Sequence, residues 1–405
     1  MRSFPLLESG TAIAAAAAPA NRLRHDAGPV IGPIIGPMAM FQRIAAACDL
    51  SPIHVARDYA GLAFGPGRVS LADYVQLRLF DPAHWPDCDR RTVVGRRLNR
   101  EIGLAVNGRH ERFGVAAEKL AATALLAAFG LPTIPTVAIF APRLTHNAPQ
   151  LLRSRADLRR FLLSAEAYPL FGKPAESGQG PGALALDRAL PHLDAVETMD
   201  GRRIGLDKLL DDIGEAQGGY LFRPLVAPHP QTAALCGERL ATARIVTLHE
   251  AQGPRIFRAS WALPASAPVA ARGPCDGTLL AKIDIDTGRI ERVVAGSGLA
   301  AAFLTQHPDS GVPLVGAMLP HWEDMKAVAL AAARVVHHLP LIVWEIGCAS
   351  AGPMILGLGE MADFFVDQFV EGRGMLENDF VQFFEVQKHA ARERDGHIKH
   401  AVELL

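Results

Sequence analysis

This sequence lacks an excess of charge of either sign, an apolar run of membrane length and any cluster of cysteines. Its 41 basic and 42 acidic side chains leave a formal net charge of −1. That balance gives no electrostatic footprint for nucleic acid or for an anionic membrane surface. No apolar run reaches the roughly 18 residues that a membrane span needs. The five cysteines, Cys48, Cys88, Cys236, Cys275 and Cys348, are scattered and form no Cys-x-x-Cys pair. Free thiols in a reducing cytoplasm are therefore expected, not a disulfide framework or a thiolate metal site. Histidine is plentiful but unpatterned: there is no His-x-His, no His-Glu-x-x-His, and no Gly-x-Ser-x-Gly elbow of a hydrolase. His337 and His338 are adjacent, and neighbours on a helix point about 100° apart, so they cannot share one metal from a regular helix.

At 405 residues the chain is long for one core, and two or three subdomains are expected. Residues 1–37 are rich in Ala, Gly and Pro and read as a flexible extension. Residues 11–20 mimic the apolar part of a secretion signal, but Glu8 precedes them and Arg2 is the only basic residue ahead of them. Helices are predicted over residues 38–48, 52–59 and 70–79, the last opening on Ser70 as N-cap. The basic run 90–100 reads as a solvated helix face before it reads as an anion patch. An amphipathic helix over 115–129 is closed by Gly130, and an apolar strand follows within 131–142. Short helices are expected at 158–163 and 202–210. Strands are expected at 219–226, at 241–249 and 255–263 as a hairpin, and at 279–286 paired with 290–294. A helix over 319–338, strands at 341–346 and 353–358, and a charged helix over 375–403 complete the chain. Helices alternating with antiparallel hairpins predict an α+β protein with more than one sheet, not a Rossmann fold or a TIM barrel.

The stretch 168–186 carries the chemistry. An apolar run ends in Phe-Gly-Lys-Pro at 171–174, a loop with three glycines, Gly178, Gly180 and Gly182, follows, and a second apolar run leaves it. Glycines let backbone N–H groups approach an oxyanion closely, and Lys173 sets a point charge beside them. Alone, the stretch is equally a phosphate-covering loop or a solvated glycine-rich hairpin. It is not a Walker A loop, since no Gly-Lys-Ser/Thr closes it and no helix pattern follows directly.

Other pieces stand in a telling order. Lys119 precedes Gly130-Leu131-Pro132; Pro228-His229-Pro230 follows a strand; Thr242-Ala243-Arg244-Ile245-Val246-Thr247 comes next. Asp284-Ile285-Asp286-Thr287-Gly288, His307-Pro308-Asp309-Ser310-Gly311, Pro320-His321-Trp322 and the run 343–353 around Trp344-Glu345 complete the set. In this order and spacing, over roughly residues 70–359, they resemble the ATP-grasp superfamily, and most closely its sugar-transfer-associated branch.

The resemblance implies an ATP-grasp fold: two α+β subdomains clamping a nucleotide, with a helical, preATP-like N-terminal region. It divides the chain into an extension (1–37), a helical region (38–110), an ATP-grasp domain (111–375, with a lid at about 145–225) and a C-terminal helix (376–405). Lys119 looks like the family's first phosphate lysine and Lys173 like its second, near the α-phosphate and adenine. The loop with Glu176, Ser177, Gly178, Gly180 and Gly182 looks like the cover over the β- and γ-phosphates. Residues 220–225, Phe222 among them, resemble the strand that borders adenine. Arg244 matches the catalytic arginine on the transferred phosphate, and Glu345 stands where the family has a magnesium ligand. The other metal positions hold Gly357 and Gly359, with Glu360 one residue beyond as the replacement candidate. Before Asp284, where the family often has Asp-Asn and then Gly-Gly, the chain has Arg272-Gly273 and Asp276-Gly277.

The implied activity is an ATP- and Mg²⁺-using ligase that joins a small-molecule carboxylate to an amine or related nucleophile through an acyl phosphate, in cell-surface or secondary-metabolite biosynthesis. The alternative is a degenerate relative that binds a nucleotide or a partner without catalysis. Each carrier residue also has an ordinary reading: Lys119 a solvated helix residue, Arg244 a strand ion pair, Glu345 a buried, hydrogen-bonded carboxylate.

Overall fold

Proline in the first turn starts the leading helices. The computed structural model describes residues 36–86, 89–108, 114, 118–142, 150–175, 182–216, 218–265, 278–359 and 363–403. Helices Pro37–Cys48 and Pro52–Ala63 place Pro where a missing N–H costs nothing. Ser70 caps Leu71–Gln76 through a reciprocal capping box with Asp73. Ile44, Val55, Leu62 and Tyr74 from these helices bury one cluster with Phe365, Phe369, Leu280 and Val294. The helical N-terminal region therefore packs on a sheet rather than on itself alone.

Two sheets carry the rest, each of seven strands among the described residues. The first contains β1 (Ala138–Phe140), β2 (Leu151–Leu152), β3 (Leu170–Pro174), β4 (Leu184–Leu190), β5 (Ala195–Thr198), β6 (Arg203–Gly205) and β7 (Tyr220–Pro224), in the order β2-β1-β7-β3-β4-β5-β6. Its pairings are antiparallel except β1 with β2. One face is covered by helices Arg155–Leu162 and Leu206–Gly214, whose Leu158, Phe161, Leu209 and Ile213 meet Leu170, Val196, Tyr220 and Phe222.

The second sheet contains β8 (Thr242–Glu250), β9 (Gly253–Pro264), β10 (Thr278–Ile283), β11 (Ile290–Ala295), β12 (Ala302–Leu304), β13 (Leu341–Ala349) and β14 (Gly352–Gly359), in the order β12-β11-β10-β9-β8-β13-β14. All its pairings are antiparallel. Helix Trp322–Val335 fills one face with Met325, Ala329 and Ala332 against the fully buried Trp261 and Trp344. The N-terminal helices and helix Phe364–Glu371 cover the other. Helix Lys119–Ala128 and two isolated bridges, Thr133 with Ile355 and Pro228 with Ala349, tie the sheets together.

The α+β reading holds, and the β8–β9 and β10–β11 hairpins fall where alternation places them. Two local readings need correction. Residues 202–210 begin as strand β6, because Gly201 at φ 78° turns β5 back on itself, and the helix starts only at Leu206. Helix Phe364–Glu371, capped by Asp363, precedes the C-terminal helix Asn378–Glu403 and was not anticipated. Among the described residues no helix is long and apolar enough to cross a membrane. Cys48, Cys236 and Cys348 are free thiols, and burial pushes the thiol of Cys236 up to about 12.

Candidate nucleotide cleft between the sheets

Alternation along β3 and β7 decides which side chains meet. Lys173 pairs with Leu221 and Phe171 with Arg223, so Lys173 and Arg223 share one face, diagonally placed. Tyr220 and Phe222 point the other way, into the core under the helices. Phe222 is fully buried there, its ring 5.0 Å from Phe161 and 5.2 Å from Tyr220. Expected to border a nucleotide, its side chain is instead part of the core of the first sheet.

The face of Lys173 looks toward helix Lys119–Ala128 and the second sheet. Lys119 opens that helix, with Glu118 as N-cap, and its Nζ donates to Pro174 O at 3.4 Å. Arg223 spans three elements: Nη2 donates to Thr123 Oγ1 on the helix at 3.2 Å, and Nη1 to Leu356 O on β14 at 3.4 Å. Leu356 is the extra residue where the β13–β14 register passes from Glu345–Gly357 to Ile346–Ile355. Such a bulge re-aims the neighbouring side chains. Glu345 stands at this irregularity, exposed, between Arg244 on β8 and Gly357 on β14. It is not the buried, hydrogen-bonded carboxylate of the ordinary reading.

Charge in this cleft is lopsided. Burial first, then the cations Arg223 and Lys119, push the ammonium of Lys173 down to about 8, with Glu345 pulling the other way. Arg223 is 3 % exposed and its Nε has no acceptor. Burial lowers its pKa, yet a guanidinium stays charged at any ordinary pH.

Arg244 behaves differently. Burial works against its charge, but the carboxylate of Asp367 outweighs it and raises the pKa, helped by Asp363 and Glu345. Its Nε lies 3.2 Å from Asp367 Oδ1 and its Nη2 donates to Asp363 O at 2.5 Å. Asp367 is fully buried, and Asp363 caps its own helix by accepting from Phe365 N. Arg244 thus has a structural partner, and Nη1 is its atom without a hydrogen bond among the described residues.

The structure therefore brings Lys119, Lys173 and Glu345 together and adds Arg223, which the sequence reading had not singled out. Gly182 ends the glycine-rich stretch at φ 80°, its carbonyl accepting from Tyr220 Oη at 2.7 Å. Glu176, Ser177, Gly178, Gly180, Glu360 and Asp276 lie outside the described residues.

Three cations on one wall fit a polyphosphate. A magnesium ion fits less well. Mg²⁺ wants octahedral oxygen donors, and among the described residues no group of three His, Cys, Asp or Glu side chains is placed to hold a metal. Gly357 and Gly359 supply no side-chain oxygen, and no special backbone shape calls for glycine there, since neither has positive φ. A Cβ on Gly359 would meet Val343 Cβ at 3.8 Å, ordinary contact, and one on Gly357 would meet Glu345 Oε2 at 3.3 Å.

A family model described as sugar-transfer associated ATP-grasp matches residues 98–382. No curated protein matches the sequence. Similar solved structures include the D-alanine-D-alanine ligase from Coxiella burnetii, 13% identical with a TM-score of 0.42 over 72% of this chain and 62% of that one. They include the biotin carboxylase from Campylobacter jejuni, 10% identical with a TM-score of 0.40 over 69% of this chain and 47% of that one. The D-alanine–D-alanine ligase from Bacillus anthracis is 9% identical, with a TM-score of 0.38 over 72% and 71%. The chain thus spans less than two thirds of the first of these, and likeness at this level bears on neither site nor substrate.

Proposed function

The chain belongs to the sugar-transfer associated ATP-grasp family, and from that premise we propose that it binds ATP between its two sheets and uses the γ-phosphate to activate a carboxylate. A carboxylate oxygen attacks the γ-phosphorus and ADP leaves with the bridging oxygen. An amine or related nucleophile then attacks the acyl carbon, loses a proton and displaces phosphate. The products suit cell-surface or secondary-metabolite biosynthesis. The observation that carries this reading is the convergence of Lys119, Lys173 and Arg223 on one wall of the cleft, opposite Glu345. Phosphoryl transfer is mainly positioning and charge stabilisation, and cations so arranged supply both. Lys119 and Lys173 hold the phosphates, and Nη1 of Arg244 faces the transferred group.

A second reading is favoured by one observation, the glycines at 357 and 359. In it the clamp binds a nucleotide or a partner and transfers nothing. Both readings require ATP to bind. Calorimetric titration of ATP into wild type and Lys173→Ala tests that, with about tenfold or greater loss expected in the variant, since charge-assisted hydrogen bonds are the strong ones. Release of ADP in the presence of a panel of carboxylates and amines then separates the ligase from the clamp. Equal affinity in wild type and variant would remove Lys173 from the site.

A further inference from the structure

We propose that Arg223 completes a cationic cradle with Lys173 and Lys119 that holds the polyphosphate of a nucleotide without a divalent metal ion. The inference rests on the nucleotide reading above and concerns what neutralises the phosphates. Its starting point is an imbalance inside the folded chain. A guanidinium 3 % exposed has a carbonyl at 3.4 Å, a hydroxyl at 3.2 Å and an Nε with nothing. Among the described residues no carboxylate is a hydrogen-bond partner of it. A buried cation with only neutral acceptors is costly, and more so beside a second cation. Burial and the charge of Arg223 both act against protonation of Lys173, and Glu345 is the acid that opposes them. An anion reaching between Arg223 and Lys173 would relieve both at once.

The complementary observation lies on the facing wall. Strand β14 has ordinary room at Gly359 for a ligand-bearing side chain and carries none. At Gly357 such a chain would crowd Glu345. Among the described residues, a triphosphate entering this cleft meets three cations on one side and one carboxylate, Glu345, on the other. Its negative charge is then matched by side chains already in place, and the one carboxylate among the described residues is too few to anchor Mg²⁺. Arg223 also bonds β14 and the helix of Lys119, so an anion held by it is fixed relative to both walls.

The test is calorimetric titration of ATP into the full chain, once in EDTA and once in excess MgCl₂. The expected result is affinities within about threefold of each other, a small difference on the scale where tenfold is one decade in Kd. Arg223→Met is expected to lose about tenfold or more in EDTA, and Arg223→Lys less, because a point charge replaces part of a bidentate one. Melting of ligand-free Arg223→Met is expected to stay at or above wild type, since a desolvated cation has gone. A merely structural Arg223 would give the reverse, lower melting with affinity intact, and would overturn the assignment. Should Arg223→Met not fold, the EDTA and MgCl₂ comparison and Arg223→Lys decide alone. Binding confined to MgCl₂ would overturn the inference and leave the nucleotide reading standing. Absence of binding in both buffers would overturn both.

Discussion

In the second sheet Arg244 and Arg258 each meet a buried carboxylate, whereas in the first Lys173 and Arg223 meet none among the described residues. Arg244 meets Asp367, and Arg258, 4 % exposed, meets Glu371 and the carbonyl of Gly374. Lys173 and Arg223 of the first sheet repel each other across one strand pair. Removing one member of a closed pair leaves its partner buried and uncompensated; removing an open cation relieves strain on its neighbour. The closed pairs join strand and helix, and the open cations are the ones proposed above to hold a ligand. The same residue type thus has opposite meaning in the two sheets, and burial alone does not separate them.

The largest effect should come from breaking a closed pair. Arg244→Ala strands the fully buried Asp367 carboxylate, at a cost of about 3–5 kcal/mol. The midpoint of urea unfolding measures it, and a change under about 1 kcal/mol, the scale of an exposed pair, would show that Arg244 is not structurally committed. Phe222→Ala comes next, at about 3–5 kcal/mol for emptying a packed aromatic site. Its ATP affinity in the folded protein should match wild type, because Phe222 faces the core under helix Arg155–Leu162. A selective loss of affinity would return Phe222 to the nucleotide.

How much of this was legible beforehand follows from what each feature depends on. The β8–β9 hairpin was legible because alternation and Gln252-Gly253 are local. The β3 strand and its glycine-rich exit were legible for the same reason, and so was the cap of Leu71–Gln76. Phe222 and Arg223 were not separable. Alternation says that they face opposite ways, but which face meets the core depends on helices brought from elsewhere in the chain. Helix Phe364–Glu371 left a signal, an Asp before an apolar run with Asp367 inside it. Its role as partner to Arg244 rests on a contact 123 residues apart in sequence. Glu345 was legible as a type and misleading as an environment, because the bulge at Leu356 leaves it exposed in an otherwise buried strand.

A smaller effect tests the open cations through pH. Lys173 titrates near 8 when folded, below its ordinary value of 10.5. Between these values the unfolded chain binds more protons, so stability from this group rises with pH from about 8 to about 10.5. Below 8 the cost of its charge is present in full. In the proposed site ATP uses that charge, so affinity should fall by up to about tenfold per pH unit above 8. The groups acting on Lys173 are Arg223, Lys119 and Glu345, and the first stays charged throughout. Lys173→Met should flatten both profiles. A slope that survives in the variant would place the titration elsewhere.

The finest test makes the second sheet more like a metal site. Gly357→Glu with Gly359→Asn adds oxygen donors beside Glu345, where a Cβ meets Glu345 Oε2 at 3.3 Å or Val343 Cβ at 3.8 Å. The first contact is with the movable end of a side chain, and neither glycine has positive φ, so the fold should accept both changes. Without metal, the added carboxylate opposes the phosphates, and ATP affinity in EDTA should fall severalfold, about the scale of one like-charge contact in a partly exposed site. With MgCl₂ the two carboxylates and the phosphates share an ion, and affinity should recover. Wild type should show neither response. Recovery in the variant against indifference in wild type would locate the difference between the two kinds of clamp in the side chains of β14. A variant as indifferent to MgCl₂ as wild type would mean that Glu345 is aimed away from the phosphates.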